Sequence, residues 1–249
     1  MKIYVVTHKK VDNPIPKNYE FIQVNAKKNG KIYDLTDDSA EDNISIKNPN
    51  YCELTASYYI WKHSTEDVVG LAHYRRFFTT NKFSNNPKSY LNEKRIYKDL
   101  KKYDFIATKL YHTQLNTKDH ILLNVREKDL GILTNVIKND FKDYYDCYLN
   151  MLNGHDSYLL NMFITKKELW DSYYEWLFSI FDKMEKEVDM TGYSVQEQRL
   201  YGFLSERLFY VYIMKNKYKV KSYSVHTVGE PLLRIIWQKC LKILRIKKD

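Results

Sequence analysis

Glycine is scarce in this chain, 7 residues in 249, and no two of them stand as G-x-G. A dinucleotide fingerprint needs that spacing so that backbone can approach a pyrophosphate, and a phosphate loop needs G-x-x-x-x-G-K-[ST]; neither is present, so the familiar nucleotide cradles are excluded. Cysteine is equally sparse. Cys52, Cys147 and Cys240 lie far apart without C-x-x-C spacing, which argues against a disulfide framework or a thiolate zinc site and for a reducing compartment. No run of 18 apolar residues occurs, and the apolar run after Met1 is too short for a signal peptide. The expectation is a protein made and kept in the cytosol.

What the chain does have is apolar and aromatic mass. Hydrophobic residues make up 44% and aromatics 15%, with 23 Tyr, more than a disordered chain carries, and enough for one sizeable core. Net charge is +9, which favours nucleic acid, nucleotide phosphates or an anionic membrane face without choosing among them. No internal repeat and no Pro/Gly/Ser linker interrupts the chain, so one domain over 1–229 and an appendage over 230–249 are expected.

Patterning gives an α/β order. Residues 2–6 and 21–24 read as short buried strands. Asn50 and Glu53 have the spacing of a capping box, starting a helix that runs to about Lys62 with Tyr51, Leu54, Tyr58 and Trp61 as one stripe. Residues 68–72 read as a strand buried on both faces that delivers His73-Tyr74-Arg75-Arg76 at its C-terminal edge, where open α/β sheets bind ligands. A polar loop and charged helix over 80–102, a strand at 104–108 and a second loop at 109–118 follow. Helical sequence then runs to about Leu152. A turn at 153–156, a strand at 158–165, a periodic helix over 166–187, a helix from the Ser194/Glu197 capping box to about Met214 and a strand at 219–225 complete the domain.

His73-Tyr74-Arg75-Arg76 holds the only adjacent arginines in the chain. Two guanidiniums and an imidazole at a strand end can neutralise a diphosphate through bidentate hydrogen bonds. The competing reading is a strand end whose arginines pair with surface carboxylates. Asp156, in the turn Gly154-His155-Asp156, can take a proton from a hydroxyl or be a solvated turn residue. Glu206, beside Arg207 in a mostly apolar helix, competes for the base role or forms a structural ion pair. His8 faces the nucleotide edge of the first strand, and Tyr51 and Tyr58 either stack on a base or pack in the core. His226 is a candidate for the diphosphate or a metal, against the commoner strand-end polar residue.

These residues carry a resemblance. Tyr4-Val5-Val6-Thr7-His8, Asn50-x-x-Glu53-Leu54-Thr55-x-x-Tyr58-x-x-Trp61-Lys62, Gly70-Leu71-x-His73-Tyr74-Arg75-Arg76, Asn161-Met162-Phe163-Ile164 and Ser205-Glu206-Arg207-Leu208 together resemble a family of bacterial capsular and exopolysaccharide glycosyltransferases over nearly the whole chain. The resemblance implies a GT-A-like single domain with a mostly parallel central sheet flanked by helices. It further implies transfer of a sugar from a nucleoside-diphosphate donor, UDP-linked and in some similar proteins UDP-galactofuranose, to a lipid-linked surface glycan. On that reading Thr7, His8, Tyr51, Glu53, Tyr58, His73, Arg75 and Arg76 bind the donor, His155 and Asn161 the acceptor, and Asp156 or Glu206 is catalytic. A GT-A site usually carries D-x-D to hold a divalent cation, and this chain has none. Fixed cationic side chains can stand in for the metal, which leaves manganese or magnesium an open cofactor.

The tail adds a membrane expectation. Leu233, Ile236, Trp237, Cys240 and Leu244 share one helical side, opposite Arg234, Gln238, Lys242 and Arg245, the pattern of a basic amphipathic helix on the inner face of the cell membrane or of a helix packed on protein. The alternative function is a non-enzymatic module that binds nucleic acid or another polyanion. No RNP1-type strand or other recognition motif is legible, which favours the enzyme and no nucleic-acid partner.

Overall fold

A computed structural model describes residues 1–229 other than 13, 33, 34, 82, 83 and 85; the amphipathic helix expected over 230–249 lies outside these. Among the described residues ten strands are formed: β1 (Lys2–Thr7), β2 (Tyr19–Gln23), β3 (Thr36–Asp37), β4 (Val68–His73), β5 (Arg76–Thr79), β6 (Phe105–Thr108), β7 (Tyr111–His112), β8 (Asp156–Ser157), β9 (Phe163–Lys166) and β10 (Val220–Thr227). Between them lie the helices α1 (Ala26–Asn29), α2 (Asn48–Tyr51), α3 (Leu54–His63), α4 (Glu93–Leu100), α5 (Thr117–Leu122), α6 (Glu127–Asp140), α7 (Lys142–Asn153), α8 (Lys167–Met184) and α9 (Leu200–Asn216).

Eight strands form one sheet in the order β3-β2-β1-β4-β5-β10-β6-β9, while β7 and β8 pair as a separate ribbon. The expected mostly parallel sheet is corrected to a mixed one. β1–β2, β1–β4, β2–β3 and β6–β10 are parallel, whereas β4–β5, β5–β10, β4–β9 and β6–β9 are antiparallel. β4 pairs with β9 through Val68–Gly70 and with β5 at its far end, so β4, β5, β10, β6 and β9 close a circuit of pairings. The crossing is tight at Gly70. A Cβ there would lie 2.6 Å from Ile164 Cγ1 and 3.0 Å from the Phe163 carbonyl, so no larger residue fits without moving β9.

Alternation along the strands divides the core in two. Tyr4, Val6, Val69, Leu71, Phe105, Ala107 and Phe163 face α3 and α6–α9; Ile3, Val5, Val68, Ala72, Ile106 and Ile164 face Phe77, Phe78, Tyr90, Leu91 and α4. The tyrosine wealth is largely spent in the first layer, where Tyr173, Tyr174 and Tyr212 are buried and Phe163 stacks on Phe209 with ring centroids 4.5 Å apart. Such pairs add about 0.5–1.5 kcal/mol each beyond their area.

Two local expectations fail for backbone reasons. The helix from Asn50 to Lys62 is broken at Cys52, whose φ of 53° and ψ of −128° separate α2 from α3. Asn50 and Glu53 do not cap each other: Asn50 Nδ2 donates to the Gln198 carbonyl, and Glu53 accepts from Asn161. The strand expected over 158–165 shrinks to β9, because Leu160 and Asn161 take φ of 79° and 50°, outside the extended region. The Ser194/Glu197 capping box does form, with Ser194 N and Oγ both donating to Glu197 Oε2.

Candidate functional site

The parallel strands β1, β2 and β4 end on the same edge of the sheet, and a cleft of about 350 Å³ opens there. Thr7 ends β1 and His8 follows it, Val24 follows β2, and His73 ends β4 with Tyr74 after it; Cys52 and Glu53 come from the α2–α3 break, and Val195, Gln198 and Arg199 from the segment before α9. Thr7, His8, Glu53 and His73 were among the expected donor residues, and the fold brings them together.

The hub beneath the cleft is the left-handed pair Leu160–Asn161, a conformation that costs roughly 1–2 kcal/mol per residue. Side chains from three elements hold it. His73 Nε2 meets the Leu160 carbonyl at 2.9 Å, and Glu206 Oε1 accepts from the Leu160 N–H at 2.7 Å. Asn161 Nδ2 donates to Glu53 Oε1 at 2.7 Å and to the Gly202 carbonyl at 3.1 Å, while its Oδ1 accepts from Ser205 Oγ at 3.0 Å. Asn161, expected to touch an acceptor, is therefore buried with both side-chain atoms engaged, and its observed part is to join β9, α9 and Glu53.

Two carboxyls share this region. Burial pushes the Glu206 carboxyl up to about 6; Arg207 opposes that rise and the nearby Glu53 charge reinforces it. Burial also raises Glu53, against its bond from Asn161 and the charges of Arg199 and Arg76. His73 is driven the other way, down to about 4, first by burial and then by Arg76. It is thus a neutral imidazole donating through Nε2, and His73, expected near a donor diphosphate, lines the cleft while its ring holds the Leu160 carbonyl.

The arginines separate. Arg76, half-buried on β5, acts electrostatically on both Glu53 and His73. Arg75 is exposed in the two-residue turn between β4 and β5, and its Nε donates to the Val228 carbonyl at 3.2 Å. The tetrapeptide is thus a hairpin turn and not the free end of a strand, and a turn sends adjacent side chains to different sides. The cationic residue lining the cleft is one that sequence reasoning passed over, Arg199. Its Nε donates to Cys52 Sγ at 3.3 Å and its guanidinium lies 5.1 Å from the Phe203 ring centroid, at the N-terminus of the long helix α9, where peptide dipoles favour anions. Its place two residues beyond the capping box was the available signal.

Five expected site residues sit elsewhere. Tyr51 is buried, stacked on Tyr201 at 4.4 Å with its hydroxyl on Glu185. Tyr58 packs against Trp61 and Phe178 and donates to Asp42; neither tyrosine lines the cleft, because the stripe they form faces α8. His226 is buried in β10 with its ring 5.8 Å from Tyr90. Asp156 and His155 lie on the β7–β8 ribbon: Asp156 Oδ1 accepts from His112 Nδ1 at 2.8 Å, and His155 Nδ1 lies 3.1 Å from the carbonyls of Thr113 and Leu115. Among the described residues no three of His, Cys, Asp and Glu converge as metal ligands, and no helix is long and apolar enough to cross a membrane.

The chain belongs to the family described as a domain of unknown function, DUF4422, whose model matches residues 2–217. Among solved structures it is similar to the bifunctional glycosyltransferase WbbM in its apo form, at 29% identity and a TM-score of 0.82. That likeness covers 92% of this chain but 45% of the other, so the chain spans less than half the length of that protein. No curated protein matches it. The likeness relates this mixed α/β domain to glycosyltransferases.

Proposed function

We propose that the protein transfers a sugar from a nucleoside-diphosphate donor, UDP-linked in the first instance, to a glycan acceptor, and that the donor lies in the cleft at the ends of β1, β2 and β4. The observation that carries the reading is the composition of that cleft: a guanidinium at a helix N-terminus faces it, above two carboxyls held at a shared left-handed turn. Arg199, supported by Arg76, offsets the charge that grows on the diphosphate as the glycosidic bond breaks. Thr7, His8 and Tyr74 line the donor side. Glu206 is the proposed general base. It is ionised at neutral pH yet basic enough to take a hydroxyl proton, and its second oxygen is paired with Arg207. Asp156 remains the competing base, on the exposed ribbon. Charge stabilisation by fixed guanidiniums supports transfer without a divalent cation; a lipid-linked capsular or exopolysaccharide acceptor and contact of the basic tail with the inner membrane face complete the proposal.

The test is a thermal shift with UDP, GDP and TDP, followed by donor hydrolysis across their sugars with and without EDTA. A ligand at 100 times its Kd stabilises the native state by about 2.7 kcal/mol. A shift with one nucleoside diphosphate and EDTA-insensitive turnover is expected; no shift with any of them, or a shift with oligonucleotide only, overturns the reading.

A further inference from the structure

We propose that the β7–β8 ribbon and the loop leading into α5 form the binding platform for the acceptor saccharide, with the Tyr111 ring as its stacking surface. The inference rests on the glycosyltransferase reading and adds a second, separate site to it.

The first observation is where apolar surface is exposed. Seven large hydrophobic residues are exposed among the described residues, and four of them, Leu110, Tyr111, Leu115 and Leu123, fall in one short segment. Their concentration in one segment sets them apart from the singly exposed Ile46, Val195 and Met214. Tyr111 is 48% exposed in a strand of only two residues, too short to be explained by sheet packing.

Polar groups beside the ring match the other half of a sugar's chemistry. A pyranose or furanose offers C–H groups on its faces and hydroxyls around its edge. His112, next to Tyr111, and Asp156, across the ribbon, form the 2.8 Å pair already described, with side chains 71% and 42% exposed. The His155 ring lies 5.5 Å from that of His112. Imidazole and carboxylate together donate to and accept from hydroxyls.

The platform is also rigid and joined to the chemistry. Thr113 N–H donates to the His155 carbonyl at 2.9 Å, and Thr117 N–H to the Gly154 carbonyl at 2.7 Å, which fixes the loop before any ligand arrives. Behind Tyr111 the His120 ring stands 6.1 Å away, and His120 Nδ1 accepts from Arg207 Nη2 at 3.0 Å. Arg207 in turn pairs with Glu206. Two side chains therefore link the platform to the proposed base, on a different set of elements from those that line the donor cleft. Under this arrangement His112 and Asp156 orient acceptor hydroxyls, and Glu206 takes the proton.

Saturation-transfer NMR with the methyl glycosides of galactose, glucose, mannose, rhamnose and N-acetylglucosamine tests this. Wild-type protein should saturate at least one glycoside, most strongly at ring protons. Tyr111→Ala should weaken that binding at least tenfold, while Tyr111→Phe and Tyr111→Trp keep it and Met214→Ala, exposed at the far end of α9, leaves it unchanged. Circular dichroism checks that each variant is folded. Absence of saturation in the wild type, equal binding by Tyr111→Ala, or a wild-type dimer that Tyr111→Ala dissolves without any glycoside binding would each overturn the platform. The UDP thermal shift, run on the same samples, decides the donor reading independently: a shift without glycoside binding removes only the platform, and glycoside binding without a shift removes only the donor cleft.

Discussion

The turn at Leu160–Asn161 and the β7–β8 ribbon both gather His, Asp or Glu, but they are built in opposite ways. At the turn, both side-chain polar atoms of Asn161 and both backbone groups of Leu160 are taken by named partners. Burial there moves Glu206 up and His73 down, so that the carboxylate is more basic and the imidazole less so than in water. On the ribbon, the His112–Asp156 pair stands largely in solvent, where water and salt screen it and such a pair contributes about 0–1 kcal/mol. A buried network fixes geometry and protonation before substrate arrives; an exposed pair keeps its hydrogen-bonding capacity for a ligand. That contrast is the basis for proposing proton transfer at Glu206 and recognition at the ribbon, and substitutions can break it.

The largest effect is expected at Glu206. Glu206→Gln removes the base while retaining an oxygen for the Leu160 N–H, so kcat should fall by about 10²–10⁴-fold, roughly 3–5 kcal/mol of barrier, with UDP affinity little changed. In the wild type the acid limb of kcat should lie near pH 6, since activity needs the ionised carboxyl and that group titrates at about 6. Full activity in the Gln variant would return the base role to Asp156.

Next is the diphosphate clamp. Arg199→Lys keeps the charge but loses the planar fork and the Nε bond to Cys52, so kcat/KM should drop about tenfold, in line with roughly 1.5–3 kcal/mol for a charge-assisted hydrogen bond. Arg75→Lys, at the exposed turn, should stay within about twofold. Steady-state kinetics on the two variants side by side separates them, and an equal loss in both would mean that the hairpin tip also reaches the donor.

How much of this could be read from the sequence follows the same divide. Strand starts, the periodic helix now seen as α8 and the Ser194/Glu197 box were legible because they depend on local spacing. Three of the residues expected at the donor, Thr7, His8 and His73, line the cleft because the carboxyl ends of parallel strands converge whatever their loops do; Glu53 reaches it from the α2–α3 break. The misreadings came from backbone conformations that side-chain patterns do not announce. Cys52, Leu160 and Asn161 adopt positive φ without being glycine, and each is held by contacts distant in sequence, Cys52 by Arg199 and close packing on Gly202. The same blindness hid Arg199, which lines the cleft at the start of α9 beside Cys52. It also hid the hairpin, since β5 is defined by pairing with β10, far along the chain.

A smaller effect, on stability, probes the hub without touching the proton-transfer step. The depressed His73 value means that the unfolded chain binds a proton between about pH 6.5 and pH 4 that the native state refuses. Stability should therefore fall as pH drops through that window, by on the order of 2 kcal/mol once the partial exposure of the ring is discounted. His73→Asn keeps a donor for the Leu160 carbonyl but does not titrate, so its urea midpoints at pH 7 and pH 4.5 should lie closer together than those of the wild type. Parallel pH dependence in the two proteins would show that another group carries the acid sensitivity.

The smallest effect on turnover is expected at Asp156, and it tests the comparison from the other side. Its carboxylate is 42% exposed and its protein partner is His112, so Asp156→Asn leaves no buried charge unpaired and should cost less than about 1 kcal/mol of stability. If the ribbon recognises and Glu206 reacts, the variant keeps kcat within about threefold and raises the acceptor KM several-fold, because one hydroxyl partner is weakened while the base is untouched. If Asp156 were the base, the pattern would invert, with kcat collapsing and KM little changed. The split between kcat and KM therefore reads the division of labour directly, and adding His112→Ala sharpens it. Two residues serving one hydroxyl give KM effects that do not add, whereas independent contacts give effects that do.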